Sequence, residues 1–441
     1  MAAPRSRQTA HRRRPSARQK TARRRSSATT ATAYADSTPA APRAPVQASA
    51  YVSRSRWKSK LKMLSVRSGM DLTFFFLVLV LVAFGLVMVF SASYANSSYR
   101  YGTPYHFVIN QAIYAVIGMV IMVLLSYFDY HHLHRLALPI YIITALLLGI
   151  TVVFKGSALV RPTNGAYRWI TIGSFQFQPS EIAKFALILL LAHLLSNRDA
   201  DLHDKSAKRF RALIYVAAIG VICALVVAEK HMSATIILLL LAAIMLFVGG
   251  LPKKWFIIGG IVVVGALLIV ANLPYYAHVS TRMEVWKNPW NPQLSSNDAW
   301  QTQQSLYAIG SGRLLGLGLG KSRQKYLYLP EPQNDFIFAI VCEELGFIGA
   351  VLIIVLFALL VWRGVMIALR AKDRFGMLLG IGLIMQVGLQ VVLNIAVVTN
   401  TIPNTGVSLP FFSAGGTSLV MLLAQMGLIL SISRTSNIEK S

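Results

Sequence analysis

Cysteine is almost absent from this 441-residue chain, and its two copies, Cys223 and Cys342, sit in separate apolar runs. Neither a disulfide framework nor a cysteine-based zinc site can be built from them, so both read as core residues. Charge is also scarce, at 13% of residues against 55% hydrophobic. A soluble protein of this size needs more polar surface, so many of these apolar side chains must face lipid. Among the charged residues acids are the minority, 16 against 43 Lys and Arg, which leaves a formal charge of +27. Spread along the chain, that excess would suggest nucleic acid. Residues 1–68, however, hold 17 Lys and Arg against the single acid Asp36, so the segment alone carries +16. No nucleic-acid partner is expected.

Residues 1–68 are rich in Arg, Ser, Ala, Thr and Pro and show no hydrophobic periodicity, which predicts a disordered cytoplasmic tail. Two readings of the tail stand. It is a solvated charge run held inside by topology, or Arg54, Arg56, Lys58, Lys60, Lys62 and Arg67 engage anionic lipids at about 1 kcal/mol per basic residue. No apolar core follows the charges until residue 71, which argues against a cleaved signal peptide.

Apolar runs long enough to cross a bilayer recur at 71–92, 107–127, 135–154, 179–196, 211–228, 231–249, 254–272, 336–362, 375–398 and 408–432. The expected fold is therefore all-α: a polytopic membrane protein of about ten transmembrane helices. Residues 69–434 form the membrane domain, 273–335 one long extracellular loop, and 435–441 a short cytoplasmic tail. Basic residues set the orientation. The tail, Arg135, the Arg198–Arg211 stretch, Lys253 and Lys254, Arg363–Arg374 and Arg434 fall on alternate connections, which places both termini inside. The long loop carries Tyr275, Tyr276, Trp286, Trp290, Trp300 and Tyr307, which form either an interfacial belt or a folded lid over a substrate.

Ionisable groups inside apolar spans cost a few kcal/mol and point to function or to a partner. Glu181 and Lys184, three residues apart, share one helix face, where they form a structural ion pair or a substrate contact. Asp335 closes the long loop directly before an apolar helix. It is either a helix cap or a carboxylate placed at the water–lipid boundary. Glu343 and Glu344 follow about two turns further in, deep enough that a donor from another helix is expected. The Gly- and Pro-rich stretch Pro403–Thr417, with Ser413, Gly415 and Gly416, opens a span irregularly and indicates a cavity or a plain kink. Two other motifs fail. Gly316–Ser322 has Leu315 where a P-loop needs glycine. His131, His132 and His134 have no companion ligands at metal spacing, and no metal site is expected.

Four of these segments, in order, resemble the SEDS family of division, elongation and sporulation proteins. They are Tyr167-Arg168-Trp169-Ile170 leading to Gln178–Lys184, Gly316–Ser322, Tyr328–Phe338 with Glu343–Gly346, and Thr405–Ser418. The likeness spans about residues 70–433, and Asn404–Ser418 is closer to the division and sporulation branches. It implies a ten-helix fold in a bacterial cytoplasmic membrane. It also implies a peptidoglycan glycosyltransferase that joins lipid II units, in company with a class B penicillin-binding protein and other division membrane proteins. On the same basis Asp335 matches the essential carboxylate of the outer loop, and Glu181 and Lys184 the polar pair of the fourth helix. Two departures stand out. The family's Glu-Pro-Asp-type motif reads Glu229-Lys230-His231-Met232-Ser233 here, and Ala414 replaces an aromatic residue before the paired glycines.

Such a reaction needs a base for the attacking sugar hydroxyl and positive charge for the departing pyrophosphate. Asp335 is the expected base. Arg168, Lys321, Arg323 and Lys325 are the candidate cations, with a divalent cation as a possible helper. A lipid flippase and a non-catalytic division scaffold are the rival functions.

Overall fold

The computed structural model describes residues 69–436 except 158, 161–166, 174, 198–204, 258, 261–264, 266–276 and 292–295. The basic tail, most of the expected span 254–272, Tyr275, Tyr276 and residues 437–441 lie outside the described residues.

Three long helices begin the bundle: α1 (Leu72–Tyr101), α2 (His106–Tyr127) and α3 (His131–Val153). A short hairpin, β1 (Ile170–Ile172) and β2 (Phe175–Phe177), leads into α4 (Pro179–Ser196), α5 (Lys205–Ala228) and α6 (Met232–Val248). Two more polar helices follow, α7 (Ala277–Lys287) and α8 (Ser296–Gly312). The chain then closes with α9 (Ile337–Leu369), α10 (Arg374–Val398) and α11 (Gly416–Thr435). Among the described residues, seven of these helices, α1–α4 and α9–α11, are long and apolar enough to cross a bilayer. Two shorter apolar helices lie at Ala212–Ala228 and Met232–Val248.

Apolar side chains on the outside are the rule here. Along α2, Ile109, Ile113, Val116, Val120 and Leu124 recur at helical spacing and stay exposed, whereas Ala115, Gly118, Met122 and Ser126 are buried. The buried stripe meets α11 closely. A Cβ on Gly118 would strike the Leu423 side chain, and one on Gly427 would lie 2.5 Å from the Met122 carbonyl. Close approach through small residues is how helices gain packing where lipid offers no hydrophobic drive.

The expected span at 336–362 is longer than its hydrophobicity suggested and is broken. Gly346 leaves the helical region at φ 66, ψ −168 inside α9. The backbone groups freed there are taken up by the preceding segment. Leu317 and Gly318 N–H donate to the carbonyls of Glu343 and Glu344, and Phe347 and Ile348 N–H donate to those of Arg313 and Leu314. Gly316 and Gly346 meet backbone to backbone, since a Cβ on either would lie within 2.6 Å of the other's strand of chain. The last expected span, 408–432, is also corrected. Helix begins only at Gly416, and 403–415 is irregular chain wedged between helices, with Gly85 of α1 against the Phe411 carbonyl.

The described residues of the long loop are folded. Trp286 Nε1 donates to the Thr401 carbonyl and Trp300 Nε1 to that of Tyr328, while Trp290 packs on Tyr307 with ring centroids 5.2 Å apart. At the opposite end of the bundle, Asp71 caps α1 and pairs with Arg363 at 2.7 Å, joining α1 to α9.

Candidate active site

The C-terminal end of α1 and the N-terminal ends of α4, α6, α9 and α11 converge at one end of the bundle around a cavity of 370 Å³. Its walls carry Arg100, Arg168, Gln178, Glu181, His231, Glu331, Asn334 and Asp335, together with the irregular chain from Gly406 to Gly415. Two larger hollows, of 930 and 760 Å³, run along α8 and residues 313–328. Neither gathers acid and base groups as this cavity does, and convergent ionisable groups mark a site better than size.

Asp335 does not cap α9. The N-cap residue is Phe336, with no side-chain cap bond, and among the described residues no donor reaches the Asp335 carboxylate. Its backbone is pinned instead, through the carbonyl, by Asn394 Nδ2 at 2.7 Å. The carboxylate lies 3.1 Å from the position a Cβ on Gly406 would take, so glycine there keeps its approach open. Burial lifts the Asp335 carboxyl from its ordinary value to about 6, with Arg168 and Arg282 pulling down and Glu331 adding to the rise. The local sequence makes this position. Glu331, at φ 47, turns the chain, accepts from Asn334 Nδ2 at 2.7 Å and pairs with Arg100 at 2.8 Å.

Glu181 and Lys184 form an ion pair at 2.8 Å, with Lys184 only 1% exposed. Ser418 Oγ donates to the second Glu181 oxygen at 3.1 Å, so the pair ties α4 to the first turn of α11 while Glu181 faces the cavity. Removing Glu181 strands a buried ammonium, which costs about 3–5 kcal/mol when a buried pair is broken. Glu181→Ala is therefore expected to lower the thermal stability of the detergent-purified protein more than Lys184→Ala, whose remaining carboxylate still reaches the cavity. Equal, unchanged melting curves for both variants would remove the buried-pair reading.

Three of the four candidate cations are placed elsewhere. Lys325, 2% exposed, donates to Glu344 at 3.0 Å, Ser91 at 3.1 Å and the Gly320 carbonyl at 2.6 Å, all away from the cavity. Lys321 and Arg323 line the 760 Å³ hollow with Trp300, Tyr326 and Tyr328. Of the four, only Arg168 borders the Asp335 cavity. Glu343 and Glu344, expected either to contact substrate or to support the site, likewise lie off this cavity. Glu344 accepts from Ser91 of α1, as its depth demanded, and both carboxylates hold the glycine-rich segment. That segment does cradle an anion, but the anion is internal: Gly320 and Ser322 N–H donate to Glu344 at 2.9 and 3.2 Å.

Ser413 fastens the irregular chain, its Oγ donating to the Asn334 carbonyl and accepting from Leu409 N–H, both at 2.8 Å. Gly415 N–H donates to Gln111, while Gly416 packs against the Tyr114 ring and is spatial rather than chemical in its role. The stretch from Gly406 to Gly415 thus lines a cavity, rather than forming a plain kink.

Sequence reading did not single out Arg100, Gln178, Asn334 or His231 as cavity residues. His231 was flagged only as a departure from a motif. A buried histidine directly before an apolar helix was the available signal.

A family model for the FtsW/RodA/SpoVE proteins, described as cell cycle proteins, matches residues 71–438. The chain is 38% identical to the stage V sporulation protein E of Bacillus subtilis over 378 residues, 85% of this chain and 100% of that protein. It is 35% identical over 368 residues to a probable peptidoglycan glycosyltransferase FtsW of a Geobacter species, covering 83% of this chain and 97% of that one. Among solved structures, a chain of a peptidoglycan synthase complex that coordinates polymerization and crosslinking aligns with a TM-score of 0.68. It is 27% identical and covers 84% of this chain and 99% of that one. The rod shape determining protein RodA of Thermus thermophilus aligns with a TM-score of 0.60 at 27% identity and the same coverage. A multi-pass helical bundle with a polar cavity at one end is the class these features define. The chain belongs to the FtsW/RodA/SpoVE family.

Proposed function

We propose that this protein is a peptidoglycan glycosyltransferase that polymerises lipid II into glycan strands on the outer face of the cytoplasmic membrane, in cell division or sporulation. The observation that carries the reading is the Asp335 carboxylate, which accepts no hydrogen bond among the described residues and stands in a cavity lined by Arg168, with the charge of Arg282 also acting on it. In the transition state it accepts the proton of the attacking sugar hydroxyl as that oxygen bonds the anomeric carbon and the bond to the lipid pyrophosphate breaks. Arg168 supplies charge to the departing pyrophosphate. Among the described residues no three carboxylate, imidazole or thiol groups gather to hold a metal ion. Glu331 is held by Arg100 and Glu181 by Lys184.

A class B penicillin-binding protein is the proposed partner, supported by the likeness to a chain of a peptidoglycan synthase complex. The basic tail is assigned to anionic lipids of the inner leaflet. Purified protein, with its transpeptidase, incubated with labelled lipid II should yield glycan chains. Movement of lipid II across vesicles without polymer would establish the flippase reading instead.

The orientation has its own check. Both termini are assigned to the cytoplasm by the positive-inside asymmetry. In intact cells a cysteine at Ser295 should react with an impermeant thiol reagent, and one at Lys205 should not. Labelling at position 205 from outside would overturn the topology.

A further inference from the structure

His231 is buried, lines the Asp335 cavity and has no part in the proton transfer described above. It stands immediately before α6, on the tight turn in which Lys230 takes φ 59. One ring nitrogen is engaged. Nδ1 lies 3.0 Å from Ser180 Oγ and 3.3 Å from Gln178 Nε2. The Gln178 amide nitrogen can only donate, and the Ser180 hydroxyl can do so too, so Nδ1 is the acceptor for both. The single ring proton therefore sits on Nε2, which has no partner among the described residues.

A second unmatched donor lies on the same wall. Arg168 Nη2 donates to the Lys230 carbonyl at 3.0 Å, which fixes the guanidinium beside the His231 turn, while Arg168 Nε is buried without a partner. Two donors without partners among the described residues, Arg168 Nε and His231 Nε2–H, thus stand together at a cavity whose carboxylates Glu181 and Glu331 are already paired with Lys184 and Arg100. A ligand with many acceptor oxygens fits the donor wall.

We infer that His231, as the neutral Nε2–H tautomer, donates a hydrogen bond to the pyrophosphate of the lipid-linked sugar and, with Arg168, forms its binding wall. The inference rests on the glycosyltransferase reading for its substrate but is tested by binding, without turnover. The full-length protein in detergent is titrated with a long-chain polyprenyl pyrophosphate, the matching monophosphate and the matching alcohol. His231→Asn places an acceptor where Nδ1 stood, so Ser180 and Gln178 keep a partner, but it does not reach the Nε2 position. His231→Gln reaches that position with an amide N–H.

His231→Asn is expected to weaken pyrophosphate binding about tenfold or more, the scale of a hydrogen bond to a charged group, with melting temperature unchanged. His231→Gln should lose markedly less, and alcohol binding should be the same in all three proteins. Wild-type binding by His231→Asn, or an equal loss in both variants, overturns the assignment. So does a wild-type protein that binds the alcohol as tightly as the pyrophosphate. If the wild type binds pyrophosphate but makes no glycan from lipid II, the donor wall stands and the polymerase reading falls.

Discussion

Asp335→Asn is expected to reduce lipid II polymerisation by about 10²- to 10⁴-fold, the usual contribution of a positioned general base. Asparagine keeps the size and polarity of the side chain and removes only the capacity to take a proton. Folding should survive, because the carboxylate caps no helix and the bond that anchors the residue runs from Asn394 to its backbone carbonyl. The pH dependence supplies a second readout. With the Asp335 carboxyl lifted to about 6, the base is ionised above that pH and protonated below it. The wild-type rate should therefore rise with pH through about 6 and level off above. Arg282 holds the Asp335 carboxyl down, so Arg282→Gln should move this rising limb to higher pH, and Asp335→Asn should abolish it. A well-folded Asp335→Asn protein that polymerises at a near-normal rate would refute the base assignment and direct attention to Glu331, the other carboxylate on that wall.

The membrane architecture was legible because the lipid solvent writes it into composition. A run such as 107–127 can only be buried in lipid or protein, and α2 occupies it almost residue for residue. The ion pair of α4 was legible for a related reason, since two opposite charges three apart on an apolar helix have few alternatives to each other. The irregular opening of the last span showed through its prolines and glycines, although its helix began eight residues later than hydrophobicity placed it. Long-range pairing left no such trace. Nothing local distinguishes Lys325 from Lys321, yet one is sealed under Glu344 and the other lies open. The difference arises from a kink at Gly346 that frees two carbonyls for a segment some thirty residues earlier in the chain. The hairpin at 170–177 did have a local signal, alternating Ile, Thr and Phe around Gly173, which takes φ 63. It was overlooked because the neighbouring runs are helical.

Placement of the site follows from the same logic of unpaired backbone. The cavity forms where helix N-termini meet non-helical chain, and each irregular segment there is fastened by a side chain: Ser413 to 334, Asn394 to 335 and 407, Ser233 to 405, Arg282 to 404. Such fastening lets non-helical backbone persist at membrane depth. It also sets the position of Asp335 without using its carboxylate.

Breaking the Glu344–Lys325 pair is the change expected to damage the fold most. Glu344 is 1% exposed and collects four donors: Ser91 Oγ at 2.7 Å, Lys325 Nζ at 3.0 Å and the Gly320 and Ser322 N–H groups. Glu343 beside it holds the Ser322 hydroxyl and the Arg323 and Gln324 N–H groups, so the two carboxylates together fix the glycine-rich turn onto α9 and α1. Glu344→Gln keeps an oxygen for the backbone donors but leaves the Lys325 ammonium buried and unpaired, a loss of about 3–5 kcal/mol. Lys325→Met leaves the carboxylate with three of its donors and should cost less. In the double variant no buried charge remains at this pair, so its stability should recover above that of Glu344→Gln alone, a coupling that the double-mutant cycle measures. Thermal unfolding of the four proteins in one detergent provides the comparison. A Glu344→Gln protein as stable as wild type, or a double variant whose loss is the plain sum of the singles, would show that the ion pair does not hold this turn in place.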